Sequence, residues 1–318
     1  MDILFIGKRF YTNRDAYKEK FGRIYQLPYY WSKEIDTHLW LVDYHSKEKI
    51  KAQDEKLDIL STPIISFLFI YTFIKLFLKQ PKIIVASGDC YIGLLGFILS
   101  KLTSSKFIFD VYDKYNTFSG YRNLLGINIY DFLLKKSDIC LFASQKLRND
   151  TKELCKKSII VPNGIDLRNF HPRDKALSRE MFNLDQNDLY IGYFGSMEIE
   201  RGIDDLIEAV QIVQNDGVNL KILLAGKKRK NINLNYDFIH YLGNIEFKNV
   251  PNTMACCDLL ALPYRNSEFL DNASSCKIAE YLAMRVPIVA TFSHNLVQNF
   301  NIEKEEIELL AEKNNPND

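Results

Sequence analysis

The chain has 318 residues, of which 47% are hydrophobic and 25% charged, with a formal net charge of +1. That length predicts two domains rather than one core, and the near-neutral balance argues against an extended nucleic-acid footprint. Six cysteines with no C-x-x-C pair and five scattered histidines show no metal-ligand spacing and fit reduced thiols in a cytoplasmic protein.

The opening MDILFIGKRF reads as a short strand followed by charge, not as a secretory leader. Apolar runs of strand length follow at 39–42, 83–86, 107–111, 139–142 and 159–161, after a first one at 3–6. Helical patterns lie between them at 24–34, 59–79, 91–102, 121–136 and 144–156. This β/α alternation predicts a parallel sheet covered on both faces. The segment 64–78, IISFLFIYTFIKLFL, is almost wholly apolar. As a helix it rises roughly 22 Å, short of a ~30 Å hydrocarbon core, so it reads as a helix buried against the sheet, with peripheral membrane contact as the other option.

A linker at 162–188 opens on Pro162-Asn163-Gly164, and the alternation then restarts. Strands are expected at 190–194, 221–225, 239–241, 259–262 and 288–290, with helices at 202–214, 251–256 and 274–284. The fold class is therefore α/β, two Rossmann-like doubly wound domains facing a cleft, divided as 1–166 and 167–318. In such sheets ligands bind beyond the carboxyl ends of the strands. No G-x-G-x-x-G follows the first strand, which argues against a dinucleotide dehydrogenase.

The densest chemistry lies in NASSCKIAEYLAMRVPIVA, residues 272–290. Lys277 and Glu280 are spaced i, i+3 and project from one helical face. Ser274 or Ser275 suits the N-cap, leaving backbone N–H groups at the helix mouth. N–H groups, helix dipole and a cation make an anion site, and a neighbouring carboxylate can hold hydroxyls. A phosphate joined to a polyol fits, as in a nucleotide-sugar; a solvated ion pair beside an ordinary cap would use the same residues. In the first half, the strand at 107–111 leads into Asp110-Val-Tyr-Asp113. A carboxylate there can accept a proton from a hydroxyl, with Asp113 the first choice and Asp110 the second; a turn cap is the plainer use. The run Lys227-Lys228-Arg229-Lys230 reads as a solvated loop.

Four segments in order, VPNGIDLRNFHP (161–172), YFGSMEIERGIDDLIEAVQIV (193–213), CDLLALPY (257–264) and NASSCKIAEYLAMRVPIVAT (272–291), resemble the nucleotide-sugar-binding half of family 4-like glycosyltransferases of the GT-B fold. The resemblance implies transfer of a sugar from a UDP- or GDP-type donor to a glycan or lipid-linked acceptor, with no further cofactor and no nucleic-acid partner. It places Gly195, Met197, Arg201 and Gly202 on the family's G-x-L-x-x-x-K-G segment, with Arg201 as the cation for the donor diphosphate. Many members carry Arg after the first Gly where this chain has Ser196, and Lys277 is the natural replacement. In the family's Glu-x7-Glu motif, Glu280 matches the second, ribose-holding Glu, while Asn272 stands in the first, sugar-holding place; Glu268 and Asp271 are nearby carboxylates. Gly243 opens the loop where the family's backbone reads the nucleobase. Gly22 and Arg23 enter the first helix of the acceptor domain, where a surface turn is also expected.

There is no D-x-D pair to hold a divalent cation on a diphosphate, so metal-independent chemistry is expected, with charge stabilised by Arg, Lys and helix dipole. Only residues 291–318 follow the last predicted strand, where the family usually adds a strand and a long crossing helix, so a shortened C-terminus is expected. An Asp113 base fits inversion, whereas the resemblance implies retention. Two other functions use the same architecture: a catalytically silent binding subunit, suggested by Ser196 and Asn272, and a sugar-nucleotide epimerase, disfavoured by the sparse histidines.

Overall fold

The computed structural model describes residues 1–11, 14–118, 120–124, 126–267, 270, 276–293, 296–297 and 302–318, with the Lys304 side chain excepted. These fall into two compact units, Met1–Asn163 and the described residues from Gly164 onward.

In the first unit, β1 (Ile3–Lys8) is the centre of an eight-stranded sheet. On one side it pairs in parallel with β4 (Thr37–Asp43), which pairs with β6 (Leu57–Pro63). On the other it pairs with β7 (Ile83–Ser87), followed by β8 (Lys106–Val111), β9 (Ile139–Phe142) and β10 (Ser158–Ile160), all parallel. Leu4, Phe5 and Ile6 are fully buried, as a parallel strand covered on both faces requires. The strand order reverses between β1 and β7, so this unit has a doubly wound switch point there. A two-residue hairpin, β2 (Phe10–Tyr11) with β3 (Arg14–Asp15), leaves the end of β1. The helix α1 (Arg23–Ser32) then returns the chain to β4.

The segment 59–79 is not one helix. Residues up to Pro63 belong to β6, which pairs antiparallel with the edge strand β5 (Ile50–Asp54). The helix α2 (Phe67–Lys79) begins only after Ser66, whose hydroxyl accepts from the Phe69 N–H. A continuous apolar run suits a buried strand and a helix alike, and Thr62-Pro63 together with the Ser66 cap set the break. Nor is α2 buried: it exposes a broad apolar stripe. Helix α3 (Cys90–Thr103) is capped by Asp89, which accepts from the Tyr91 and Ile92 N–H groups. Helix α4 (Ile129–Lys136) is shorter than the expected 121–136, because Asn128 caps it. Helix α5 (Gln145–Thr151) starts at the Ser144 cap and tightens into a 3₁₀ turn at 152–154.

In the second unit, α6 (Lys175–Met181) occupies part of the expected linker, capped by Asp174. The sheet is five parallel strands in the order β13 (Ile239–Tyr241), β12 (Leu220–Ala225), β11 (Leu189–Phe194), β14 (Leu259–Leu262), β15 (Ile288–Ala290). Helices α7 (Ile203–Asn215), α8 (Val250–Ala255), α9 (Cys276–Met284) and the short α10 (Lys304–Ile307) complete it. Each unit holds its own buried apolar cluster, one around Phe5, Trp40 and Phe109, the other around Tyr190, Leu223 and Tyr281.

Candidate functional site

In the second unit the expected site residues converge on the carboxyl end of β11. Gly195 follows the strand with φ +145°. Its backbone N–H donates to the Ala225 carbonyl at 2.8 Å. A Cβ added to Gly195 would lie 2.2 Å from the Lys277 Nζ, so only glycine lets the ammonium approach. Lys277 donates from Nζ to the Phe194 carbonyl and stands 4.8 Å from the centroid of the Tyr193 ring. The same helix is held from a second point, because the Tyr281 hydroxyl accepts from the Phe194 N–H at 3.2 Å. At the neighbouring strand end, Gly226 has φ +126°, and a Cβ there would meet the Gly195 carbonyl oxygen at 2.1 Å. Its N–H donates to the Gly243 carbonyl at 2.8 Å. The ends of β11, β12 and β13 thus form a cradle of bare backbone at Gly195, Gly226 and Gly243.

Arg201 reaches the same strand end from the 3₁₀ turn 199–201, with its guanidinium 5.2 Å from the centroid of the Tyr264 ring. Burial works against its charge, but the neighbouring phenol groups of Tyr264 and Tyr193 outweigh that and hold its pKa above the usual guanidinium value. Burial pushes the Tyr193 phenol well up, and Arg201 draws it partly back. Two cations, Lys277 and Arg201, therefore border one buried tyrosine. The turn carrying Arg201 is braced by Arg265, whose N–H donates to the Glu200 carbonyl at 3.0 Å and whose Nε donates to Asp205 at 2.6 Å. Asp204 is paired with Arg229 at 2.5 Å. The first turn of α7 thus supplies its own negative charge, so an anion at this strand end would be held by Lys277 and Arg201 rather than by the α7 dipole.

Ser196 is exposed and its carbonyl accepts from the Tyr193 hydroxyl at 2.9 Å. Glu280 lies one turn after Lys277 on α9 and is buried, a position from which a carboxylate can accept from hydroxyls. Asn272, Ser274 and Ser275, with Glu268 and Asp271, lie outside the described residues. Sequence reasoning missed Tyr193, Tyr264 and Arg265; the two tyrosines sit within or beside apolar strands and read as core.

In the first unit, Arg23 is not a surface residue: it is the first residue of α1 and is buried. Its Nε and Nη2 donate to Asp110 at 3.0 and 2.6 Å, and Nη1 donates to the Val161 carbonyl at 2.6 Å and to Asn163 at 3.3 Å. Burial opposes the Arg23 charge, but Asp110 outweighs it and the guanidinium is held above its ordinary value. Asp110 also accepts from the Ser87 hydroxyl at 2.6 Å. With no exposure and both oxygens engaged, Asp110 is suited to locking Arg23 and poorly suited to taking a proton from an acceptor.

Asp113 is also buried, and accepts from the Tyr11 hydroxyl. Tyr11 stacks on Tyr112, with centroids 4.7 Å apart and planes at 15°. Burial, then the Asp113 charge, push the Tyr11 phenol well up, so it stays a donor. The same hairpin edge borders an open hollow of ≈ 230 Å³ lined by Tyr11, Arg14, Phe21, Gly22 and Tyr112, among others. Tyr115 ties the strand ends together: its hydroxyl accepts from the Gly88 and Tyr112 N–H groups at 3.0 and 3.1 Å and donates to the Asp110 carbonyl at 3.0 Å. Tyr11 was not foreseen; only its place just after the first strand hinted at it. Among the described residues no cluster of three His, Cys, Asp or Glu side chains could hold a metal ion.

The model of the family described as Glycosyl transferases group 1 matches residues 188–318. An uncharacterized glycosyltransferase of Methanocaldococcus jannaschii is 26% identical over 208 residues, covering 62% of this chain and 52% of its own. The capsular polysaccharide biosynthesis glycosyltransferase CapM of Staphylococcus aureus is 24% identical over 216 residues, covering 63% and 56%. The chain thus spans about half the length of these relatives. Among solved structures, sucrose-phosphate synthase of Thermosynechococcus elongatus superposes with a TM-score of 0.74 at 15% identity, covering 100% of this chain and 87% of that one. HepE of Anabaena in complex with UDP superposes with a TM-score of 0.71 at 14% identity, covering 99% and 87%. Residues 188–318 are thus similar to the Glycosyl transferases group 1 family, and the chain has the α/β architecture of GT-B glycosyltransferases.

Proposed function

We propose that this protein moves a hexose from a nucleoside diphosphate sugar to a hydroxyl of a cell-surface glycan or lipid-linked acceptor, without a metal ion or other cofactor. The observation that carries the proposal is the strand end at Gly195, where the Lys277 ammonium lies against bare backbone and Arg201 borders the same tyrosine. Negative charge grows on the leaving diphosphate as the glycosidic bond breaks. Preorganised cations in a partly buried site stabilise that charge, and the Arg201 fork suits phosphate oxygens. Buried Glu280 would accept from the ribose hydroxyls. HepE has been solved with UDP and with UDP-glucose, which supports a nucleoside diphosphate donor. A relative in Corynebacterium glutamicum is described as GDP-mannose-dependent, so uracil and guanine are the bases to compare. CapM, a capsular polysaccharide enzyme, supports a glycan product.

In the first unit, Asp113 with its Tyr11 donor is the group that would orient or deprotonate the acceptor hydroxyl. Asp110 and Arg23 would hold the strand end that presents it. As a base opposite the leaving group, Asp113 would take the acceptor proton and give an inverted product. If it only orients the hydroxyl, retention needs attack on the leaving-group face, with a departing phosphate oxygen taking that proton.

Titration calorimetry of the full chain with UDP and GDP tests the donor assignment. One nucleotide should bind, with affinity falling roughly tenfold to a hundredfold in Lys277→Ala and Arg201→Ala, as loss of a charge-assisted contact implies. Equal affinity in wild type and both variants would remove the donor site from this strand end. Binding with no sugar consumed in the presence of acceptor glycans would leave a silent binding subunit. Turnover unchanged by EDTA is expected if the two cations alone serve the leaving group.

A further inference from the structure

Helix α2 is apolar on both faces, with Phe69, Phe73, Leu76 and Phe77 packed on the core. Thr72 and Leu76 point inward, while Phe67, Ile70, Tyr71, Ile74 and Leu78 form an outward stripe. Phe67 is 92% exposed, Leu78 71%, and Ile65 in the turn before the helix 95%. A contiguous apolar stripe of this kind marks an interaction surface. Its charge is one-sided. No Asp or Glu occurs from 59 to 88 or from 90 to 109, whereas Lys75 and Lys79 lie on α2 and Lys101 on the neighbouring α3. Among the described residues no carboxylate lies within ion-pair distance of these three lysines. The helix has 13 residues, about 20 Å long and too short to cross a ~30 Å core, and none of the described helices is long and apolar enough to span a membrane.

We infer that α2 and the turn before it form a membrane-docking surface that lies in the interface of a leaflet bearing anionic phospholipids. The apolar stripe would enter the boundary between headgroups and acyl chains. Lys75, Lys79 and Lys101 would meet anionic headgroups, which attract each basic side chain near the surface. A second protein copy would also cover an apolar stripe, but facing lysines with no carboxylates would repel across a symmetric contact. The inference extends the proposed transfer to lipid-linked acceptors, yet its test needs no donor and no turnover, so the two can fail separately.

The test is co-sedimentation of the full chain with phosphatidylcholine vesicles made with and without phosphatidylglycerol. The chain should pellet with the anionic vesicles and be released by high salt in part only. The variant Phe67→Ser/Ile70→Ser/Leu78→Ser should lose binding roughly a hundredfold, and Lys75→Gln/Lys79→Gln roughly tenfold on anionic vesicles. Since all five side chains are exposed, circular dichroism should be unchanged. A tryptophan reporter, Phe67→Trp, should blue-shift on adding anionic vesicles. No pelleting with either vesicle, or an unmoved emission, overturns the inference. So does a concentration-dependent dimer that the triple serine variant dissolves, which would assign the face to a second copy.

Discussion

Gly195 is held by two independent constraints: a φ that side chains rarely adopt and an ammonium where a Cβ would lie. Gly195→Ala must therefore displace Lys277 or the strand end, and overpacking of this kind costs ~1–3 kcal/mol. Nucleotide affinity in that variant should fall about tenfold, as a displaced Lys277 ammonium would lose one charge-assisted contact, and calorimetry on folded protein reads it directly. Wild-type affinity in the variant would mean that the ammonium is not what the glycine accommodates. Arg23 raises a different question, because it stabilises through a buried pair. Removing one partner of such a pair costs ~3–5 kcal/mol, whereas replacing both by apolar groups is often nearly neutral. Arg23→Ala should lower the urea midpoint strongly, and Arg23→Met/Asp110→Leu should recover much of the loss. If the single variant is as stable as wild type, the pair is not structural. The sequence pointed to Lys277, Glu280 and Asp113 through residue type and spacing, and to Arg201 through the segment that resembles the family's. It was silent on Tyr11, Tyr193 and Tyr264, because a tyrosine in an apolar run looks the same whether it packs or bonds.

Strands and helices with one clear period were readable, and all the strands expected at both sheet centres are present. The errors fell where a pattern served two elements. The run 59–79 joined β6 to α2, and α6 was hidden in a polar stretch that looked like linker. What fixes α6 is a long-range bond set: Asp258, beyond the end of α8, accepts from Lys175 at 2.7 Å, Arg179 at 2.8 Å and the Tyr190 N–H at 2.8 Å. Burial alone would push the Asp258 carboxyl up, but the bonds from Lys175 and Tyr190 and the charges of Lys175 and Arg179 outweigh it and hold it below its ordinary value. A depressed carboxyl contributes stability above its unfolded pKa of about 3.9, and the contribution disappears as pH falls through the folded value. Asp258→Asn should thus lower Tm at neutral pH, with hydrogen bonds to a charged group worth about 1.5–3 kcal/mol. The gap between variant and wild type should close as melts are repeated below about pH 4. A gap independent of pH would mean that the charge contributes nothing.

At the scale of the molecule, β/α alternation pointed to two doubly wound units, because parallel strands need long crossover connections, usually helices. One connection departs from this: β12 reaches parallel β13 through residues 226–238 without a helix. Each unit has its own core, and each sheet presents a different chemistry at its strand ends: carboxylates with tyrosines in the first unit, cations with glycine backbone in the second. An anionic donor should seek the second, since bringing a diphosphate beside Asp110 and Asp113 would add like charges in a buried setting. Hydrogen exchange of the full chain with saturating UDP or GDP separates the alternatives. Slower exchange is expected at 194–202, 226–227 and 276–281, where Gly195, Arg201, Gly226 and Lys277 meet, because ligand binding raises the free energy of local opening there. Protection centred instead on 110–113 and 22–24 would place the diphosphate on the first unit and make Arg23, rather than Lys277, its cation.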